Sequence, residues 1–544
     1  MQSLRLFAAA ALVAAALLTT GVASAQPSSS SSTATPSASS AAQPATAKPA
    51  ASAPADEGTT SDSDETTPGG KRKKKRKQHA ELPAPTTAAT ILEVTADELG
   101  TLARPLEPVI VRAGAVPAWL GSPIASLRAF ALNGGKLHPV PFQVDERAAD
   151  GRYLYPDGIR NDQVEIDGML TSEDEIVLLA SDAGDRPPSD MVVPEAAATQ
   201  LVSVEAPASA GEAASSPTRG WFVLARYDAT PPTDTLATDP RVVHEWANNY
   251  VYSAKYSIGF YDFAPPAHSA VPREIRVHEG PDVSADLLDR FKWRVEIGIL
   301  WGLYTVRFDE QNVRVQVLAY KNGPVRVLRY VACRVILPFG IEGPSLTIDA
   351  AFYPNMIQIP LVLNVPRAPG FVGTHSDLIL GVDLSPAANG LVFYDSENTG
   401  GFLVDGWMSE AEKAQAARPD RWRLWTGKAG TLVERTFWDP EYLKTVGLTV
   451  EYVDDSRDAR PPEDHTGQNG AYFERYRVDD LAAGTYRALL EWYFPSLPDY
   501  LAGNEAPVLA IRDQPLRIRV GDWEGPAMPP PPNLPAASPA APQP

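Results

Sequence analysis

A single cysteine, Cys333, stands in the 544 residues of this chain. No internal disulfide can staple the fold, so a large apolar core must hold it. Cys333 lies in the apolar run YVACRVIL and reads as a small buried hydrophobe. Histidine is also scarce, with seven residues and no pair at metal-ligand spacing. There is no G-x-S-x-G elbow, no Walker loop and no H-E-x-x-H. Past the N-terminus no run reaches the roughly 18 apolar residues that a membrane span needs. Positive charge is lacking from the body of the chain. Residues 1–90 hold nine basic and six acidic residues, a net of +3, so a total of −19 leaves −22 for the rest. Such a body does not suit duplex nucleic acid, which rewards clustered Lys and Arg.

What is present starts with an export signal. Arg5 precedes an apolar stretch from Leu6 to Leu18, and Ala23-Ser24-Ala25 forms an A-x-A cleavage site, so residues 1–25 read as a signal peptide. This implies a periplasmic, cell-surface or secreted protein. Residues 26–90 are rich in Ser, Ala and Pro, and 525–544 rich in Pro and Ala. Neither segment has the apolar side chains to offset chain entropy, and both are expected to be disordered. The linker carries KRKKKRK, Lys71 to Lys77, which suits contact with anionic lipid, lipopolysaccharide or acidic glycan.

From Ile91 onward the periodicity is mostly two, and Pro and Gly interrupt it at short intervals. The pattern predicts a mainly β protein with two antiparallel sandwich-like domains and few short helices. The boundary is placed near residue 235, giving domains at 91–235 and 236–524. RVQVLAY and PVRVLRYVACRVIL predict a hairpin turning at Asn322-Gly323. A helix is expected after Ser409, with Glu412 completing a capping box, and a weaker one over Ser284 to Phe291.

Three sets of residues are chemical candidates. Gln163 to Asp174 overlays a calcium loop in part: Glu165, Asp167 and Asp174 supply oxygens, Gly168 takes the turn position, and Gln163 departs from the usual Asp. An acidic surface loop accounts for the same residues. Trp407, Trp422, Trp425 and Trp438, with Asp405, Asp420 and Asp439 among them, offer flat rings beside carboxylates, as a glycan receptor needs. They equally suit a sandwich core. Tyr250, Tyr252 and Arg294 are the residue types an eliminative lyase uses as base and charge neutraliser.

Pro141-Phe142-Gln143-Val144-Asp145-Glu146, followed by Asp174-Glu175-Ile176-Val177 and then Asp182 and Gly184, resembles a group of uncharacterised exported bacterial proteins. Leu178 stands where that pattern has Phe. Asn322 to Tyr330, NGPVRVLRY, is similar to the G-P-V-R strand of large glycan-active β-sandwiches, some polysaccharide lyases among them. The first resemblance implies no activity. The second implies a carbohydrate ligand and transfers no catalytic residue. The sequence thus points to an exported β protein that binds a glycan or another envelope polymer. A polysaccharide lyase or glycoside hydrolase on the same sandwich, and a structural envelope protein that binds other proteins, are the alternatives. Whether the chain is an enzyme stays open, and calcium is the one cofactor candidate.

Overall fold

The strand Glu175–Leu179 is buried at all five positions, and its two faces explain the architecture. Ile176 and Leu178 pack into one apolar cluster, Val177 and Leu179 into another. A strand covered on both sides reads as continuous apolar sequence, as EIVLL does, rather than as alternation. The structure is a computed structural model. It describes residues 100–521 apart from internal stretches, the longest of which are 208–217 and 366–376. The expected signal peptide, the linker with Lys71 to Lys77 and the Pro-rich tail lie outside the described residues.

Four antiparallel sheets build the fold. Glu175–Leu179 is the centre of a three-stranded sheet, between Pro108–Arg112 and Gln143–Asp145. One face of it packs on a five-stranded sheet through Val109, Ile176, Leu178, Val202, Phe222 and Leu224. The other face packs on a 15-stranded sheet through Val177, Leu179, Leu328, Tyr353 and Tyr493. That large sheet then packs on a second five-stranded sheet through Ile258, Phe352, Trp492, Leu288, Val382 and Tyr472. The fold is therefore mainly β and antiparallel, with three short α-helices among the described residues.

Two pairings cross residue 235. Arg517–Gly521 forms the edge strand beside Ala198–Ala206, and Asp157–Gly158 pairs with Val313–Lys321. Cys333 is buried, as its apolar run implied. The helix at Glu410–Lys413 carries the capping box, with the Ser409 side chain accepting from the Glu412 amide. The helix expected over 284–291 is instead the start of the strand Leu288–Ile299. Read further, Phe291, Trp293 and Val295 alternate with Lys292 and Arg294, which is the period of a strand. The hairpin at 313–336 forms, but its turn is a five-residue loop, 322–326. Gly323 is not there for a positive φ. A Cβ on it would lie 1.9 Å from Oε1 of Gln143, so glycine is required because another side chain occupies its place.

Candidate functional site

The two stretches that carry the resemblances meet around one buried arginine. Arg326 is 2% exposed. Its Nε donates to Asp145 Oδ2 at 2.8 Å, its Nη2 to Glu175 Oε2 at 2.6 Å and its Nη1 to the Tyr353 hydroxyl at 2.7 Å. Gln143 donates to Asp145 Oδ1 at 2.7 Å and accepts from the Arg326 amide at 3.0 Å. Lys321 lies 3.1 Å from Asp145, and Arg147 2.5 Å from Glu175. Burial pushes the Asp145 carboxyl up, but Lys321 and Arg326 outweigh it and hold the group below its ordinary range. Glu175 is held down against burial in the same way, chiefly by Arg326. No polar side-chain atom of Gln143, Asp145, Glu175 or Arg326 lacks a partner. A fully satisfied buried network fixes geometry and leaves no group to act on a ligand.

The acidic loop is likewise consumed by its own backbone. Both oxygens of Asp174 accept amides, from Thr171 at 2.7 Å and Arg147 at 2.8 Å. Asp167 closes a local turn on the Met169 amide at 2.9 Å, and Glu165 pairs with Arg152. Gly168 has φ 68 and donates to Glu146 at 3.0 Å. Among the described residues no three acidic, His or Cys groups gather as a metal site needs. The three calcium candidates are not brought together.

The four tryptophans are also dispersed. Trp425 is 1% exposed and donates to the Gly470 carbonyl at 2.9 Å. Trp422 is buried in a different cluster, with Leu424 and Tyr493. Trp438 stacks on Tyr442 with centroids 4.5 Å apart. Only Trp407 is well exposed, at 58%, with Arg457 over its ring. Buried rings cannot meet a sugar, so the set does not form one receptor. The other three were drawn inward because burying an indole removes a large apolar area from water.

Tyr250 and Tyr252 do come together. They sit on the strand Tyr250–Ser253, whose intervening Val251 faces the core. Their rings are parallel within 14°, with centroids 5.4 Å apart. Two cross-strand rows surround them: Glu245, Tyr250, Gly259, Glu274 and Val243, Tyr252, Ser257, Arg276. A Cβ on Gly259 would lie 2.6 Å from the Tyr250 ring, so this glycine lets the ring settle onto the sheet. The Tyr250 hydroxyl then reaches across to Glu274, and Arg273 donates to that hydroxyl at 3.1 Å. Burial raises the Glu274 carboxyl, but hydrogen bonds from Tyr250 and Arg276 outweigh it and the group is held low. Both phenols are pushed up, Tyr250 by burial and then by its bond to Glu274, Tyr252 by burial and then by the Glu245 charge. His278 completes the face, 3.2 Å from the Ser257 hydroxyl.

Arg294 is elsewhere. It is buried on Leu288–Ile299, in the other sheet of the sandwich, and donates to the Arg460 carbonyl. It does not join the tyrosines. Sequence reasoning found Tyr250 and Tyr252 but missed Gly259, Arg273, Glu274 and Arg276. A lone glycine inside the strand run YSIGFYD was the signal that could have pointed there.

No helix among the described residues is long and apolar enough to cross a membrane. No family model matches the chain, and no curated protein matches it. Among solved structures it is similar to an alpha-mannosidase from Enterococcus faecalis, at 10% identity and TM-score 0.31, over 75% of this chain and 47% of that one. It is also similar to an alpha-N-acetylgalactosaminidase from Bifidobacterium bifidum, at 9% identity and TM-score 0.29, over 48% of this chain and 39% of that one. The chain thus spans less than half the length of either protein.

Proposed function

We propose that this is an exported glycan-binding protein that holds an envelope polysaccharide on the Tyr250–Tyr252 face without cleaving it. One observation carries the reading: two parallel tyrosine rings, one seated on Gly259, lie among Glu274, Arg273 and Arg276 on the outward face of the large sheet. Flat apolar ring faces receive the C–H side of a sugar, and the surrounding charged groups receive its hydroxyls. Tyr252 is 38% exposed, so its ring is open to a polymer.

Binding is preferred to cleavage for a physical reason. A tyrosine base must lose its proton near neutral pH, and both phenols are pushed the other way. Arg294, the candidate for neutralising a sugar carboxylate, is buried in the opposite sheet, and Arg273 and Arg276 beside the tyrosines are engaged by the Tyr250 hydroxyl and Glu274.

The test is a panel of soluble polysaccharides, scored for binding and for new reducing or unsaturated ends. The expected result is retention of at least one polymer with no new ends. Tyr252→Ala should weaken that binding about tenfold, or ~1.4 kcal/mol. Release of new ends that Tyr250→Phe abolishes would overturn the binding reading in favour of a lyase. Retention of no polymer, with a stable protein partner recovered instead, would favour a structural role.

A further inference from the structure

A lysine with no exposed surface lies on the outer face of the second five-stranded sheet. Phe291 on Leu288–Ile299 and Val382 on the neighbouring strand Asp377–Leu384 face the sandwich core. Lys292 and Asp383, each one residue further on, therefore face the other way. Lys292 stands opposite Gly381, which makes Asp383 its diagonal neighbour across the pair. On the far side of Asp383 the ladder to Gln468–Arg477 slips between Val382 and Leu384, and such a bulge re-aims a side chain. Asp383 meets the Lys292 ammonium in a direct ion pair, and both side chains are fully buried. Among the described residues no other cation forms an ion pair with Asp383.

A third group completes the set. Glu463 Oε1 lies 3.4 Å from Lys292 Nζ, and its side chain is 9% exposed. Gln468 holds both partners: its Oε1 accepts from Lys292 at 3.1 Å, and its Nε2 donates to Glu463 Oε1 at 2.7 Å. A Cβ on Gly381 would lie 2.4 Å from the Phe473 ring, so the apolar cluster of Ile379, Val453, Ala471 and Phe473 closes in beside the lysine. Burial pushes the Asp383 carboxyl up to about 7, although Lys292 pulls it down. Asp289, itself buried, and Glu463 add to the upward push.

A buried ion pair gives up the hydration of both charges. Passing one proton from Nζ to the carboxylate leaves a neutral amine against a neutral carboxylic acid. That amine is a nucleophile, and the acid carbon is a better electrophile than a carboxylate carbon. The two are already in contact, so little freedom is left to lose on approach. Exclusion of bulk water protects the product from hydrolysis.

We propose that Lys292 and Asp383 condense into an amide that ties the two strands together covalently. The Nζ lone pair forms the bond to Cγ of Asp383, and one Cγ–O bond breaks. Glu463 takes a proton from the nitrogen and returns it to the departing oxygen, which leaves as water. Both charges disappear, and no oxidant or cofactor is consumed. The bond closes a loop of about 90 residues, as a disulfide would in a chain with more than one cysteine. It does not involve the tyrosine face and does not depend on glycan binding.

High-resolution mass spectrometry of the purified full-length protein tests this. The native chain should weigh about 18 Da less than the sequence between its two termini, one water. A digest should yield a branched peptide that joins Lys292 to Asp383. Lys292→Met and Asp383→Ala should show no deficit. Glu463→Gln keeps the shape and removes the proton carrier. It should have full mass and still unfold cooperatively, which guards against misfolding of the other two variants. Full mass in the native chain, a branch from Lys292 to a different acid, or an undiminished deficit in Glu463→Gln would overturn the proposal.

Discussion

Arg326 shows how a single residue ties distant stretches of this chain together. It pairs Asp145 from one strand with Glu175 from another, more than 150 positions away in sequence. Removing one partner of a buried pair leaves the other charge uncompensated, at about 3–5 kcal/mol. Arg326→Met should therefore lower the urea midpoint sharply, while Arg219→Met, at an exposed pair with Glu205, should change it by under ~1 kcal/mol. Asp145 and Glu175 are held below their ordinary pKa, so their contribution is present above about pH 4 and lost as pH falls further. His244 acts in a different window. It is buried with neither ring nitrogen hydrogen-bonded, and burial, then Arg329 and His268, lowers its pKa to about 2. A depressed histidine contributes stability above about 6.5, lost as pH falls toward 2. Thermal melts at pH 7 and pH 5 should show a drop for the native chain and a smaller one for His244→Phe.

At the scale of elements, two glycines mark where one strand makes room for another. Gly323 makes room for the Gln143 amide, and Gly259 for the Tyr250 ring. Neither has the positive φ that would announce it. Gly323→Ala should destabilise the fold by about 1–3 kcal/mol, because Gln143 is locked by Asp145 and cannot yield. Gly259→Ala meets the far end of a half-exposed side chain, which can move. It should leave the melting temperature within a few degrees yet shift the near-ultraviolet tyrosine signal and reduce polysaccharide retention. The strands themselves are legible as apolar or alternating runs: EIVLL, GWFVLAR, LTIDAAF and YRALLEWY all lie within strands. The start of Leu288–Ile299 was not, since Ser284 to Phe291 taken alone satisfies a helical pattern. Pairing against Asp377–Leu384 and Tyr304–Phe308 decides it.

Over the whole molecule, the layers are stacked so that no sheet is finished by one contiguous stretch of chain. The N-terminal five-stranded sheet takes an edge strand from Arg517–Gly521, and the strand Glu175–Leu179 buries its second face against the large sheet. A fragment of residues 91–235 should therefore fail to give a cooperative urea transition, whereas residues 91–524 should unfold cooperatively. Loss of Arg517–Gly521 alone should expose the edge of Ala198–Ala206 and promote self-association, visible by light scattering.

Composition and periodicity by themselves determined that this chain is mainly β, that its one cysteine is a core residue and that its body is acidic. Those properties depend on local pattern and on totals, which a linear reading contains. The sites depended on which side chains meet. Asp167 and Asp174 spend their oxygens on nearby amides, three of the four tryptophans were drawn inward, and Tyr250 found Glu274 through two strand pairings. An arginine buried with two N–H groups unpaired has no linear signature at all. Arg329 and Arg326 lie three residues apart, both buried. Only the packing of sheets decided that one is fully paired and that the other keeps two N–H groups without a partner.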